Sequence, residues 1–183
     1  MKIVFHAFSL KGDHLLIIGG YHKYYNGIYQ TLPDVESLTF DANDDECNMP
    51  DLNEGVERHA SVTSSRSVIT CGGVDKNINK LSKCVILDKE EIRSFPSMVQ
   101  KRSEFGMLNV NETLYSIGGW GSQDTMETIN LNYDSKWTQK KLGFSAVEHC
   151  MINIGSEIYV MGGRNSTVSR IIQLKKGKLR NED

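Results

Sequence analysis

The sequence predicts an all-β fold, built from four small antiparallel sheets packed side by side as blades of a β-propeller. A glycine doublet behind a short apolar run occurs four times, at Gly19-Gly20, Gly72-Gly73, Gly118-Gly119 and Gly162-Gly163. The second glycines fall at positions 20, 73, 119 and 163, so successive doublets stand 53, 46 and 44 residues apart. A recurrence at that period is the mark of a repeat architecture. No segment carries a sustained 3.6-residue apolar period, so helix is not expected. A single small sheet cannot bury both faces; stacking the units side by side does, which is the physics of a propeller.

The elements follow in the same order in each unit. An inner strand comes first: Lys2–Phe8, His59–Ser64, Glu104–Val110 and Val147–Ile154. The apolar run before the doublet is the second strand: Leu15–Ile18, Val68–Cys71, Leu114–Ile117 and Ile158–Met161. A third strand follows the doublet, at Val35–Phe40, Lys83–Leu87, Met126–Leu131 and Ser169–Leu174. A fourth closes the unit, near Cys47 and then at Ile92–Phe95, Lys136–Leu142 and Lys178–Arg180. The connections hold turn formers, such as Lys11-Gly12-Asp13, Asp88-Lys89-Glu90, Asn111-Glu112 and Ile154-Gly155-Ser156. The glycine doublets allow close backbone approach and dihedrals closed to other residues. The whole is one domain over 1–183, with blades at 1–53, 54–99, 100–143 and 144–183.

Composition narrows the function classes. Hydrophobic residues at 39% and charged residues at 24% fit a globular chain and neither disorder nor a coiled coil. With 21 basic and 23 acidic residues the net charge is -2, and no concentrated basic face offers itself to nucleic acid. The longest apolar stretch, Leu15 to Gly20, is far too short to span a bilayer, so no membrane partner is expected. The start, Met1 to Phe8, lacks the sustained apolar core of a signal peptide. A cytoplasmic location is therefore expected, and an extracellular one if the N-terminus is truncated. Four cysteines without a CxxC or Cys/His cluster give no metal site.

The repeat resembles the Kelch repeat: an apolar run with Tyr, Gly-Gly, a variable loop, a strand, Trp, a small Pro/Met turn and Arg-x-x-His. The third unit carries the pattern best, with Tyr115, Gly118, Gly119, Met126-Glu127-Thr128-Ile129 and Trp137. Pro96-Ser97-Met98 with Lys101-Arg102, and Pro50-Asp51-Leu52 with Arg58-His59, match the inter-blade turn. Trp is absent from the other units; Ile92 takes its place in the second and the Cys47 region in the first. The resemblance implies a Kelch-type β-propeller of about four blades, each of four antiparallel strands. Kelch proteins usually carry five to seven. Three accounts stay open: part of a larger propeller, a closed four-blade ring, or an arc completed by another chain.

Catalytic chemistry finds little footing. The histidines His6, His14, His22, His59 and His149 do not converge when placed on the strands. His59 and His149 take equivalent repeat positions, where a hydrogen bond to the neighbouring blade's backbone is expected rather than a metal. There is no nucleophile elbow or phosphate loop. The reading is therefore a protein-interaction module without cofactor or enzymatic activity. The resemblance implies such roles too, as adaptors or scaffolds. A galactose-oxidase-like metal-dependent oxidase on the same architecture is the alternative. The loop after each doublet and the inter-blade turn emerge on one face. The residues expected to meet a protein or peptide partner there are Tyr21, Tyr24, Tyr25, Arg58, Arg102, Trp120 and Arg164, of the types enriched at interfaces. The loop from Tyr21 to Pro33 is the longest of the four.

One covalent feature is legible. Cys71 and Cys84 are centred on the same point of the chain as the loop between Gly73 and Ser82. In a symmetric hairpin they face each other, within reach of a disulfide. Either the bond forms, or the two thiols pack as small apolar groups. Cys47 and Cys150 lie in different blades and are not expected to pair.

Overall fold

A computed structural model describes residues 3–4, 7–11, 14–24, 29–39, 49–65, 67–88, 91–155, 157–164, 170–173 and 181–182. All the regular elements among them are strands. The first unit contributes β1 (Ile3–Val4), β2 (Ala7–Lys11), β3 (His14–Ile18), β4 (Tyr21–Lys23), β5 (Tyr29–Thr31) and β6 (Val35–Thr39). The second holds β7 (Ala60–Thr63), β8 (Val68–Cys71), β9 (Cys84–Leu87) and β10 (Ile92–Phe95). The third holds β11 (Gly106–Val110), β12 (Thr113–Ile117), β13 (Thr125–Asn130) and β14 (Thr138–Lys141). The fourth holds β15 (Cys150–Ile154), β16 (Glu157–Met161), β17 (Arg170–Gln173) and β18 (Asn181–Glu182). The last three units are each a four-stranded antiparallel sheet paired in chain order.

The first unit departs from expectation. Its sheet is β2-β3-β6, and β1 pairs instead with β4, which pairs with β5. The inner strand expected at Lys2–Phe8 is divided between β1 and the start of β2. They separate because each of the first three units bridges a residue three positions ahead of its inner strand back to the residue after its doublet. Val4 meets Tyr21, Glu57 meets Val74, and Ser103 meets Trp120. The stretch from Tyr21 to Pro33 is therefore largely a small hairpin rather than an open loop. The fourth strands expected near Cys47 and at Lys178–Arg180 lie outside the described residues.

The cores sit between blades. Leu16, Ile18 and Val35 of the first unit pack with Leu52, Val56, Val68 and Leu87. Ile69, Cys71 and Cys84 of the second pack with Phe105, Met107, Leu114, Ile129 and Trp137. Ile117 and Met126 of the third pack with Leu142, Ala146, Ile158 and Val160. Each such side chain removed from water contributes about 1.5–3 kcal/mol, so every blade depends on its neighbour.

The doublets are the joints. Gly72 and Gly73 adopt φ of 66° and 90°, a region that side chains rarely tolerate. A Cβ on Gly72 would lie 2.7 Å from both the Arg102 carbonyl oxygen and the Phe105 ring of the next blade. The second glycine of each pair donates its amide across the junction: Gly20 to Val56 O at 2.8 Å, Gly73 to Arg102 O at 2.9 Å, and Gly119 to Ala146 O at 2.8 Å. The fourth blade breaks this series. Nothing described lies within 4 Å of a Cβ on Gly162. Ile152, Ile154 and Met161 are 45%, 58% and 39% exposed, where their third-blade counterparts Leu108, Val110 and Ile117 pack into a core.

Cys71 and Cys84 stand opposite each other in the β8–β9 ladder, with Cα atoms 4.1 Å apart, and are joined by a disulfide. Cys150 is a free, exposed thiol.

Candidate functional site at the mouth of the arc

Just ahead of β7, β11 and β15 stand Arg58, Glu104 and Glu148, at equivalent repeat positions. All three hold left-handed backbone, with φ of 56°, 54° and 52°. This conformation costs energy outside glycine, and at Glu104 and Glu148 the amide meets the preceding blade. Glu104 N donates to Arg58 O, and Glu148 N to Glu104 O, both at 2.9 Å. The result is a short hydrogen-bonded chain around the inner strands, with three charged side chains at the mouth.

Those side chains interlock. Arg58 pairs with Glu104 at 3.1 Å and approaches Glu57 at 3.6 Å. Trp120 Nε1 donates to Glu104 Oε2 at 2.7 Å. Arg164 pairs with Glu148 at 3.2 Å. Burial raises the Glu104 carboxyl above its usual range against the pull of Arg58, and a hydrogen bond with Glu148 adds to the rise. Glu57 is raised by burial too. The mouth therefore holds carboxylates that are partly desolvated and braced by guanidinium groups.

Two cavities open there. One of about 520 Å³ is lined by Arg58, His59, Glu104, Phe105, Glu148, His149 and Arg164. The other, about 300 Å³, shares Arg58, Glu104 and Arg164 and adds Val74, Ile78, Lys80, Ser103 and Trp120. His59 and His149, expected not to converge, line the same cavity. The ring nitrogens of His149 are buried with no hydrogen-bond partner among the described residues, so the expected bond to a neighbouring backbone is not made. Burial lowers its pKa to about 4, leaving a neutral imidazole. Among the described residues no three His, Cys, Asp or Glu side chains are placed to hold a metal ion.

The expected partner residues divide. Arg58, Trp120 and Arg164 come together at the mouth. Tyr21 and Tyr24 lie apart, on the first unit's small hairpin. Tyr21 packs on Tyr29 with ring centroids 5.6 Å apart, and Tyr24 donates its hydroxyl to Gln30 Oε1 at 2.8 Å. Tyr25 lies outside the described residues. Arg102 is a correction: it is fully buried and reaches no surface, because Glu127, Gly118 O and Thr125 take up its guanidinium. Glu104, Glu148, Ile78 and Lys80 were missed. For the first two a signal existed, since the residue before His59, Phe105 and His149 is charged each time.

No protein-family model matches the chain. The Kelch repeat and BTB domain-containing protein 2 of Cowpox virus strain GRI-90 / Grishak is 27% identical over 118 residues, 60% of this chain and 21% of that protein. The protein of the same description from strain Brighton Red is 27% identical over 113 residues, 57% of this chain and 20% of that protein. The chain thus spans about a fifth of these relatives. The solved structure of YjhT superposes with a TM-score of 0.77 at 12% identity, covering 88% of this chain and 59% of that one. Consecutive small antiparallel sheets joined at glycine doublets, together with these likenesses, give the chain the fold of β-propeller blades, with repeats similar to those of the Kelch relatives.

Proposed function

We propose that the chain is a protein-interaction module whose mouth, around Arg58, Glu104, Trp120 and Arg164, receives a protein or peptide partner. The observation that carries this reading is the braced cluster itself. Trp120 and Arg58 are both fixed by one carboxylate, Glu104, on the rim of an open cavity. Aromatic and arginine side chains held in place before binding are the usual energetic centre of an interface. The Kelch likeness supports an interaction role in general. The oxidase alternative is not favoured: among the described residues no tyrosine lines the cavity that His59 and His149 share. The uncovered apolar side of the fourth blade is read as the place where further blades, or another chain, continue the ring. The test is affinity capture with the intact chain, read by mass spectrometry, beside Trp120→Ala and Arg164→Glu. Partners retained by the wild type and lost by both variants are expected; capture unaffected by either variant overturns the assignment of the mouth.

A further inference from the structure

The loop joining β8 to β9 is unusually well tied for a surface segment. Asp75 Oδ1 accepts from the Asn77 and Asn79 amides at 2.8 and 2.9 Å, and Oδ2 accepts from Asn79 Nδ2 at 3.0 Å. Ile78 N donates to Asp75 O at 2.9 Å, and Val74 bridges both Glu57 and Lys80. These bonds hold Ile78 at φ 63° with its side chain 75% exposed. A β-branched residue in left-handed backbone is a true outlier, and glycine or asparagine would form this turn at less cost. The fold gains no burial in return. Strain kept at an exposed site is a pointer to function.

The surroundings say what would be bound. Ile78 lines the cavity of about 300 Å³ together with Trp120. That volume lies at the small end for ligand sites and suits one bulky side chain. Arg58, Lys80 and Arg164 line it; Arg58 is taken up by Glu104 and Glu57 and Arg164 pairs with Glu148, so Lys80 and the exposed donors of Arg164 are the positive groups that face a ligand. Arg164 is 60% exposed even while paired with Glu148, so it keeps donors facing solvent. We propose that this cleft binds an acidic peptide segment that seats one bulky apolar side chain against Ile78 and Trp120. The proposal rests on the interaction-module reading and gives it a ligand class. Cations and a rigid apolar wall in so small a space favour a short acidic segment over an extended polyanion.

The test uses two fluorescein-labelled peptide pools with a fixed central leucine, flanked in one by glutamate and aspartate and in the other by lysine. Binding is followed by fluorescence polarisation and by the Trp120 indole signal in nitrogen-15 spectra. The acidic pool should bind and shift Trp120. Trp120→Ala, Lys80→Glu and Ile78→Gly should each weaken binding about tenfold, the scale of a hot-spot residue. Ile78→Gly relieves the strained backbone, so its melting temperature should rise while its binding falls, and the loss cannot be ascribed to unfolding. Lys136→Glu, on an exposed loop of the third blade, should change nothing. Equal binding of the lysine pool, no binding of the acidic pool, or binding indifferent to Ile78→Gly and Trp120→Ala would overturn the proposal. A protein partner lost on Arg164→Glu but indifferent to Ile78→Gly would overturn it too, while leaving the interaction-module reading intact.

Discussion

Arg102 and Glu127 meet at 2.6 Å with both side chains wholly removed from solvent. Arg102 also donates to Gly118 O at 2.8 Å, and Glu127 accepts the amides of Val99 and Gln100 at 2.6 and 2.9 Å. The pair therefore fastens the turn between the second and third blades to the middle of β13. Burial lowers the Arg102 pKa, and Glu127 works against that fall.

Removing one partner strands the other charge in the core. Glu127→Ala should cost about 3–5 kcal/mol, read from urea unfolding. Glu127→Gln keeps one of the two acceptor oxygens and removes the charge, and should cost less than Glu127→Ala. Equal stability of Glu127→Ala and wild type would show that the pair does not hold the turn.

Cys71 and Cys84 close a short loop, so reduction should destabilise the chain by roughly 3 kcal/mol. The check is the melting temperature with and without a thiol reductant. Cys150→Ser should leave that difference unchanged, since Cys150 is free and exposed.

His149 should make stability depend on pH. The folded pKa is lowered from 6.5 to about 4, so the unfolded ring takes up a proton where the folded ring does not. Stability is complete above pH 6.5 and falls as pH drops toward 4, by up to roughly 3 kcal/mol. Phe105 fills the same repeat position in the third unit, so His149→Phe should fold and lose that part of the slope. An unchanged pH profile in the variant would assign the dependence elsewhere.

The fourth blade exposes Ile152 and Ile154 on one side of β15. Exposed contiguous apolar surface promotes association. Ile152→Lys with Ile154→Lys should keep the β-type circular dichroism and lower concentration-dependent association in light scattering. Association as strong as in the wild type would place the contact on another surface.

The hairpins were legible because the doublet marks a joint that only glycine fills, as Gly72 shows against the Arg102 carbonyl. The register placing Cys71 opposite Cys84 follows from loop symmetry, a property of linear spacing. Arg102 was not legible. Beside Lys101, next to a turn, it looks like surface, and its burial is decided by Glu127, 25 residues further on. The mouth was half legible. Arg58, Trp120 and Arg164 belong to interface-prone types, whereas Glu104 and Glu148 matter through their left-handed backbone, which residue type does not announce. Ile78 was hidden for the same reason.

The amide bonds from Gly20, Gly73 and Gly119 into the following blade link the units only to their nearest neighbours. Gly163 has no such acceptor among the described residues. Cohesion in such an array falls off toward its ends, as in a one-dimensional chain of coupled units. Amide deuteration should therefore advance inward from the fourth blade. Gly163 should exchange within the fraying regime of local openings, and Gly119 and Gly73 only through larger, costlier ones.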